Sequence, residues 1–283
     1  MRIKNGITKT WPLFTHGNGP SSESKLYKRI EKYANMKGEE NQSVPNDLTV
    51  LTWSVPGENA ILDNLMGKMN AELYIIPFSK PFEWTGKVTK TLKYLKYIET
   101  PYVMGLDALD VIPSTDEGNL WEETLEHFKS KNIDILYNAE KSSWPDVGFG
   151  TSLPEEHPLM FRLGKCKEIE DKVYSKLLGS EYQHLNTGCW IAKTEVMIKF
   201  YEDVSSLIEK YKHEIDGEDY FGGEQGFVRA LAPEYYPKLL IDYDCTIFQT
   251  LVGVRDEPPN MSESGGKIVE TEVIIEDVPT TMI

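Results

Sequence analysis

The sequence predicts an α/β fold built on a mainly parallel sheet with helices on both of its faces. Three observations predict it: short apolar runs of strand length, amphipathic segments between them, and a length of 283 residues, which is enough for one large core. Strands that alternate with helices favour parallel pairing, because each helix carries the chain back to the start of the next strand. In such sheets, ligands bind beyond the carboxyl ends of the strands.

The predicted elements alternate most regularly in the first half of the chain. Strands are predicted at 48–53, 71–77, 102–106 and 133–138, with helices at 59–69, 88–98 and 120–131. An earlier helix is predicted at 23–36. The second half is less regular, with helices at 168–178, 194–213 and 224–231 and strands at 239–247 and 269–275.

Charge and cysteine content narrow the functional classes. The net charge of −15 disfavours a nucleic-acid partner but not a divalent cation, which can bridge an acidic protein to an anionic nucleotide. Three widely spaced cysteines indicate neither a zinc site nor a disulfide framework, which favours a reducing compartment. The N-terminus lacks the apolar core of a signal peptide, and no apolar run reaches the roughly 18 residues of a membrane span. A cytoplasmic location is therefore expected.

Two carboxylates follow the predicted strand at 102–106. Asp107 and Asp110 are three residues apart, so both side chains can turn toward one point in the crevice. Hard oxygen ligands of this kind suit Mn²⁺ or Mg²⁺, which also bind phosphate oxygens. The alternative is a solvated loop in which one aspartate caps a turn. A haloacid-dehalogenase-like phosphohydrolase is disfavoured, because it needs an Asp-x-Asp spacing early in the chain.

Short motifs follow one another between residues 48 and 251. They are Thr52, Glu83-Trp84-x-Gly86 followed by Lys90, Asp107-x-x-Asp110, Ala139-Glu140-x-x-x-Trp144-Pro145-Asp146, Leu185-Asn186-Thr187-Gly188, Glu224-Gln225 and Ile247-Phe248-Gln249-Thr250-Leu251. In this order they resemble the glycosyltransferase domain of procollagen lysyl hydroxylases and related collagen-type and viral glycosyltransferases. The resemblance implies a GT-A fold, a UDP-sugar donor, Mn²⁺ with Mg²⁺ as an alternative, and transfer of glucose or galactose to an acceptor hydroxyl on a glycan or a protein-linked sugar. It also makes a viral origin an expectation.

The resemblance assigns roles to individual residues. Thr52 and Lys90 would lie beside the nucleotide and its diphosphate, and Trp84 and Trp144 would wall the sugar pocket, since an indole stacks on the apolar face of a pyranose. Ordinary core packing is the alternative for both tryptophans. The lysine series at 87, 90, 93 and 96 is expected to be mainly a solvated helix face.

Two acceptor-side residues are implied as well. Asn186 would present its amide to sugar hydroxyls from a glycine-containing turn, or serve only as a turn residue. Glu224 would orient or deprotonate the acceptor hydroxyl. Here the chain departs from the family, because Gly222-Gly223-Glu224 replaces an acidic run.

One further motif stands at an unexpected place. His16-Gly17-Asn18-Gly19-Pro20 resembles the segment that ends the family's domain, where the histidine is the third metal ligand. A circular permutation is therefore predicted, with residues 7–15 as a strand of the main sheet and His16 beside Asp107 and Asp110. Gly17, Asn18 and Gly19 would approach the donor phosphates. A loose N-terminal arm is the alternative.

The predicted organisation is one catalytic domain over 1–257. Residues 1–20 supply the permuted last strand and the metal histidine, 21–47 form a connector, and 258–283 form a C-terminal tail. The leading hypothesis is a metal-dependent UDP-sugar hexosyltransferase. Two alternatives are a catalytically weak or inactive module that binds a UDP-sugar or carbohydrate, and a viral-type glycosyltransferase that acts on a modified nucleobase.

Overall fold

A six-stranded mixed sheet forms the centre of the computed structural model, which describes residues 2–17, 27–28, 31, 43–55, 73–79, 83–114, 119–146, 153–174, 181–215, 221–251 and 273–276. The strands are β1 (Arg2–Asn5), β2 (Phe14–His16), β3 (Leu48–Ser54), β4 (Tyr74–Pro77), β5 (Tyr102–Asp107), β6 (Val111–Pro113), β7 (Ile135–Glu140), β8 (His184–Lys193), β9 (Leu239–Ile241), β10 (Phe248–Thr250) and β11 (Val273–Glu276). The helices are α1 (Trp84–Leu95), α2 (Leu120–Ser130), α3 (Pro158–Ile169), α4 (Thr194–Tyr211) and α5 (Gly223–Tyr235), and a five-residue π-helix (Glu170–Tyr174) follows α3.

The main sheet has the order β4-β3-β5-β8-β7-β9. Neighbouring strands are parallel except for β8, which is antiparallel to both β5 and β7. The α/β class is confirmed, and five of the six strands run in the same direction, so the sheet is mainly parallel with β8 as its one antiparallel strand. The sequence analysis missed β8, because the Asn-Thr-Gly segment inside this ten-residue strand has the composition of a turn.

Helices cover both faces of the main sheet. Side chains of β3 alternate between two cores: Leu51 and Trp53 join the core under α1, α3, α4 and α5, whereas Leu48 and Val50 join the core under α2. This alternation follows from the two-residue period of a strand. The two cores together bury the sheet on each side, as the sequence predicts.

A separate three-stranded sheet contains the N-terminal segment. β2 lies between β10, to which it is parallel, and β6, to which it is antiparallel. The prediction that residues 7–15 form a strand of the main sheet is wrong, because only Phe14–His16 is a strand and it lies in this small sheet. The segment is nevertheless fixed: Phe14 is fully buried, and Thr10 Oγ1 donates to the carbonyl oxygens of Asp244 and Cys245.

Several predicted boundaries are close to the observed ones and others are not. The strands at 48–53 and 102–106 and the helices at 120–131 and 194–213 agree within two residues at each end. The helix predicted at 168–178 starts too late, because α3 already begins at Pro158; the described part of the predicted range is the end of α3 and the π-helix that follows, and 175–178 lie outside the described residues. The strand predicted at 239–247 ends at Ile241, where Asp242 turns the chain and accepts two backbone N–H groups.

Other predictions fall at the margins of the described ranges. The helix at 59–69 lies outside them, and so does most of the helix at 23–36. Within the predicted C-terminal tail, β11 pairs antiparallel with β1. None of the helices in the described ranges has the length and apolarity that a membrane crossing needs.

Candidate metal centre

Two acidic side chains stand where the chain leaves the main sheet. Asp107 is the last residue of β5, and the chain turns over 108–110 before it continues into β6. Because β6 pairs with β2, this turn brings Asp110 next to His16, the last residue of β2. The backbone N–H of Gly17 donates to the carbonyl oxygen of Asp110 at 2.7 Å, which fixes the two segments side by side.

The imidazole of His16 faces both carboxylates. Its Nε2 atom lies 3.3 Å from Asp110 Oδ1 and 3.6 Å from Asp107 Oδ2. One ligand atom from each of the three residues lies within 4.8 Å of the others. The structure therefore brings together the three residues that the sequence predicts as ligands, although His16 and Asp107 are 91 positions apart in the sequence (107 − 16 = 91).

Burial and charge make the space between these three side chains favourable for a cation. His16 is 2% exposed, whereas the side chains of Asp107 and Asp110 are 29% and 19% exposed, so the carboxylate side is open to a ligand. Burial by itself lowers the pKa of His16, but the charges of Asp110 and Asp107 outweigh it, and the pKa lies above its ordinary value. The site thus favours positive charge beside the carboxylates.

Gly188 of β8 closes the cluster from the sheet side. A Cβ atom at this position would lie 2.1 Å from His16 Cε1 and 2.8 Å from Asp107 Oδ2, so any other residue would displace the imidazole. The close approach arises because β8 carries extra residues against β7: Tyr137 pairs with Trp190, and the next residue, Asn138, pairs with Asn186. The bulge pushes Thr187 and Gly188 toward His16.

A lysine that the sequence analysis assigned to a solvated helix face lies inside the site. Lys87 on the first turn of α1 is 3% exposed, and its Nζ lies 2.7 Å from Asp107 Oδ1 and 3.4 Å from Glu224 Oε1. It also lies 4.1 Å from the centre of the Trp53 ring. Burial lowers the pKa of Lys87, but the charges of Asp107 and Glu224 outweigh this effect and hold the pKa above its ordinary value. The side chain is therefore a fixed cation. Lys90, which the resemblance implies beside the diphosphate, lies instead over the ring of Phe78.

Glu224 stands on the other side of Lys87, in the first turn of α5. It is 5% exposed, and Thr187 Oγ1 donates to its Oε1 at 3.2 Å. Burial raises the pKa of Glu224; Lys87 opposes the rise and Asp107 adds to it. The two glycines that precede it have φ of 68° and 60°, a left-handed conformation that other residues rarely adopt. This geometry is a physical reason for glycine at positions 222 and 223.

Trp144 lies on a loop held against the start of α5. Gln225 Nε2 donates to Trp144 O at 2.7 Å, and Arg229 donates to Pro145 O. A Cβ on Gly222 would lie 2.6 Å from Pro145 Cδ and 3.0 Å from Trp144 Nε1, so helix and loop are in close contact. The Trp144 side chain is 38% exposed, which leaves part of the indole available to a ligand.

The remaining predicted site residues are placed as follows. Asn186 lies in β8 and not in a turn; it is 3% exposed, and its Oδ1 accepts the N–H of Gly188 at 2.9 Å. Thr52 is fully buried, and its hydroxyl donates to Leu106 O within the sheet. Trp84 begins α1, but its side chain, like Asn18 and Gly19, lies outside the described residues.

Two residues of the Glu83-Trp84-x-Gly86 motif face a different part of the molecule. Glu83 and Gly86 line a cavity of about 510 Å³ between α1 and the end of α4, together with Lys212 and Phe227. None of the candidate ligands lines this cavity. The metal cluster and the cavity are therefore separate features.

A second histidine–carboxylate cluster lies behind the Trp144 loop. Glu170, at the start of the π-helix, accepts from Arg229 Nη2 at 2.7 Å and lies 3.0 Å from His184 Nδ1. The backbone N–H of Leu185 donates to its other oxygen at 3.2 Å. Burial raises the pKa of Glu170, but Arg229 and His184 outweigh it and hold that pKa at about 2.

No protein-family model matches the sequence, and no relative is found among curated proteins. The chemistry of the site therefore has to be inferred from its side chains. A histidine and two carboxylates can hold a divalent cation, a buried lysine can neutralise an anionic ligand, and a buried glutamate with a raised pKa can accept a proton.

Proposed function

We propose that the protein is a metal-dependent glycosyltransferase of the GT-A type that transfers a hexose from a UDP-sugar to an acceptor hydroxyl. The observation that carries the proposal is the convergence of His16, Asp107 and Asp110 beyond the carboxyl end of β5, with Lys87 and Glu224 alongside. Ligands of α/β sheets bind at this edge. The arrangement combines a cation site, which a nucleotide diphosphate needs, with a base, which an acceptor hydroxyl needs.

The three candidate ligands fit Mn²⁺. Carboxylate oxygens suit both Mn²⁺ and Mg²⁺, whereas an imidazole nitrogen is better tolerated by Mn²⁺. The space between them is bounded by Gly188, whose missing side chain leaves room for the His16 ring. When bound, the metal would supply neutralisation of the diphosphate charge that develops as the bond between sugar and diphosphate breaks.

Lys87 and Glu224 would act on the two reacting partners. Lys87 is a buried cation 2.7 Å from Asp107, and a donor phosphate near Asp107 would gain a charge-assisted contact with it. Glu224 would accept the proton of the acceptor hydroxyl at a carboxylate oxygen, since a pKa raised by burial makes it a better base near neutral pH. The exposed part of Trp144 would stack on the sugar.

The position of β2 supports the proposed circular permutation. In the family order, the segment that resembles His16-Gly-Asn-Gly-Pro20 follows the segment that resembles Ile247–Leu251. In this chain the two are far apart in sequence, yet β2 lies directly beside β10, with His16 opposite Thr250. A strand that has moved from the end of the chain to its start would keep this neighbour.

The test is turnover and binding with and without the metal. UDP-glucose and UDP-galactose are incubated with the protein and Mn²⁺, and release of UDP is measured before and after excess chelator. We expect Mn²⁺-dependent hydrolysis, because water can take the place of the acceptor hydroxyl when no acceptor is added, and a higher Tm with UDP plus Mn²⁺ than with either alone. A Tm shift without turnover would favour a binding module. The absence of both the Tm shift and turnover would refute the proposal.

A further inference from the structure

We propose that Asn138 is the positioning residue of the metal centre, and that rotation of its side-chain amide sets which nitrogen of His16 carries the proton. This inference rests on the metal site of the proposed function. It concerns a residue that belongs to none of the sequence motifs and is not itself a candidate metal ligand.

Asn138 contacts His16 from the side opposite the carboxylates. It is fully buried, and its Nδ2 atom lies 3.3 Å from His16 Nδ1. The other ring nitrogen, Nε2, faces Asp107 and Asp110. Asn138 stands at the bulge between β7 and β8, where the register of the ladder shifts. The amide and the two carboxylates therefore hold the ring at its two nitrogens.

The Oδ1 atom of Asn138 has no hydrogen-bond partner in the part of the chain that the structure describes, although it is buried. A buried acceptor without a partner costs free energy, and such groups in folded proteins commonly have a functional reason. Rotation of the amide by half a turn exchanges Oδ1 and Nδ2, and among the described residues only the bond to His16 is exchanged. The same side chain can thus present either a donor or an acceptor to Nδ1.

The two orientations match the two states of a neutral imidazole. Without a cation, the proton on Nε2 points at the aspartates, and Nδ1 accepts from Asn138 Nδ2. With a cation on Nε2, the proton has to be on Nδ1, and Asn138 Oδ1 is then the acceptor that orients the ring. An asparagine serves both states, whereas an aspartate serves only the second and a leucine serves neither.

The experiment measures Mn²⁺ affinity by titration calorimetry in the wild type, Asn138→Leu and Asn138→Asp, each checked for folding by urea unfolding. We expect Asn138→Leu to weaken Mn²⁺ binding by about 10- to 100-fold, the usual effect of losing a partner that orients a metal ligand. Asn138→Asp should bind at least as tightly as the wild type, because its carboxylate accepts from Nδ1. Wild-type affinity in folded Asn138→Leu would overturn the inference.

A second readout does not depend on the metal. Nitrogen-15 NMR of labelled histidines, recorded at a pH above the raised pKa of His16 so that its imidazole is neutral, reports which ring nitrogen carries the proton, and His16→Gln assigns the signal. We expect the proton on Nε2 in the wild type and on Nδ1 in Asn138→Asp. The same tautomer in both would overturn the inference even if Asn138→Leu fails to fold.

The two proposals fail in different ways. If the wild type binds no Mn²⁺, both the metal centre and the role of Asn138 are refuted. If the wild type binds Mn²⁺ and the Asn138 variants behave like it, only the role of Asn138 is refuted. Binding without turnover leaves the role of Asn138 standing and refutes the transferase.

Discussion

Two clusters in this protein each hold a histidine against carboxylates, yet they differ in what surrounds them. In the Glu170 cluster, both carboxylate oxygens accept hydrogen bonds, and the 1% exposed Arg229 balances the single negative charge of the 2% exposed Glu170. In the His16 cluster, Asp107 and Asp110 are partly exposed, and together with Glu224 they face one fixed cation, Lys87, among the described residues.

The difference separates a structural ion pair from a candidate ligand site. Because its charges balance and both partners are buried, the Glu170 cluster has no surplus negative charge to attract a cation, and it connects α5, β8 and the Trp144 loop. The His16 cluster has a surplus of negative charge at an open edge, and a divalent cation would remove it. A histidine beside a carboxylate therefore indicates a metal site only when the net charge and the exposure of the cluster are also favourable for a cation.

The largest expected effect distinguishes the two clusters by function. Asp110→Ala should abolish Mn²⁺ binding and lower sugar transfer by at least about 1,000-fold, since a metal ion contributes several kcal/mol to the transition state. Stability in urea should change little, because the removed carboxylate lies among others of the same charge. Calorimetry, the UDP-release assay and urea unfolding measure the three quantities. Activity that survives in this variant, or in excess chelator, contradicts the metal centre.

Glu170→Gln should have the opposite profile. It leaves Arg229 buried beside a neutral partner, and breaking a buried ion pair typically costs about 3–5 kcal/mol of unfolding free energy. Mn²⁺ affinity of the folded variant should remain that of the wild type. The matched control is Glu168→Gln, which removes an exposed partner of Lys172 and should leave stability unchanged. Equal stability of the two variants would show that the Glu170 cluster is not the structural one.

Acid provides a third comparison. Arg229 and His184 hold the pKa of Glu170 at about 2, below its ordinary value of 4.5, so the unfolded chain binds the proton more readily than the folded one. The stability that this carboxylate contributes is therefore complete above about pH 4.5 and is lost as the pH falls through about 2; it amounts to about 3 kcal/mol, at roughly 1.4 kcal/mol per pKa unit. Unfolding free energies measured between about pH 6 and 3 should fall more steeply in the wild type than in Glu170→Gln. Parallel curves would contradict the ion pair.

Substitutions at Lys87 and Lys90 test which lysine acts on the donor: the buried Lys87 or Lys90, which the resemblance implies. Lys87→Met should lower transfer by about 100-fold, as the loss of one preorganised electrostatic group does. Lys90→Met should leave transfer unchanged, because Lys90 lies over Phe78 and not beside Asp107. Steady-state kinetics of the two variants decide the matter, and a larger loss in Lys90→Met would reverse the assignment.

The smallest expected effect concerns the space around His16. Gly188→Ala would place a methyl group 2.1 Å from His16 Cε1, so the ring has to move and Mn²⁺ affinity should fall by about 10-fold or more. Gly164→Ala is the matched control, since no atom lies within 4 Å of its Cβ and alanine in a helix is favoured by about 0.5–1 kcal/mol. Unchanged Mn²⁺ affinity in Gly188→Ala would mean that the ring position is not critical.

Short sequence motifs predicted the cluster of candidate ligands better than hydrophobic periodicity predicted the strands of the main sheet. His16, Asp107 and Asp110 could be named from the sequence because each stands in a short, distinctive segment. β8 could not, since a strand buried on both faces with Asn-Thr-Gly inside it has no regular period. The antiparallel position of β8 is what brings Gly188 against His16, so the geometry of the site depended on the element that was missed.

The sequence by itself determined the α/β class, most elements between 48 and 140, and the residue types that could bind a cation, because periodicity and short motifs are local properties of a chain. Only the tertiary structure decided that Lys87 rather than Lys90 reaches Asp107, and that Asn138 faces His16. Residues 87 and 90 are three apart on one helix and therefore lie on nearly the same side. Which of them is buried depends on where the first turn of α1 meets the sheet, and no local pattern records that distance.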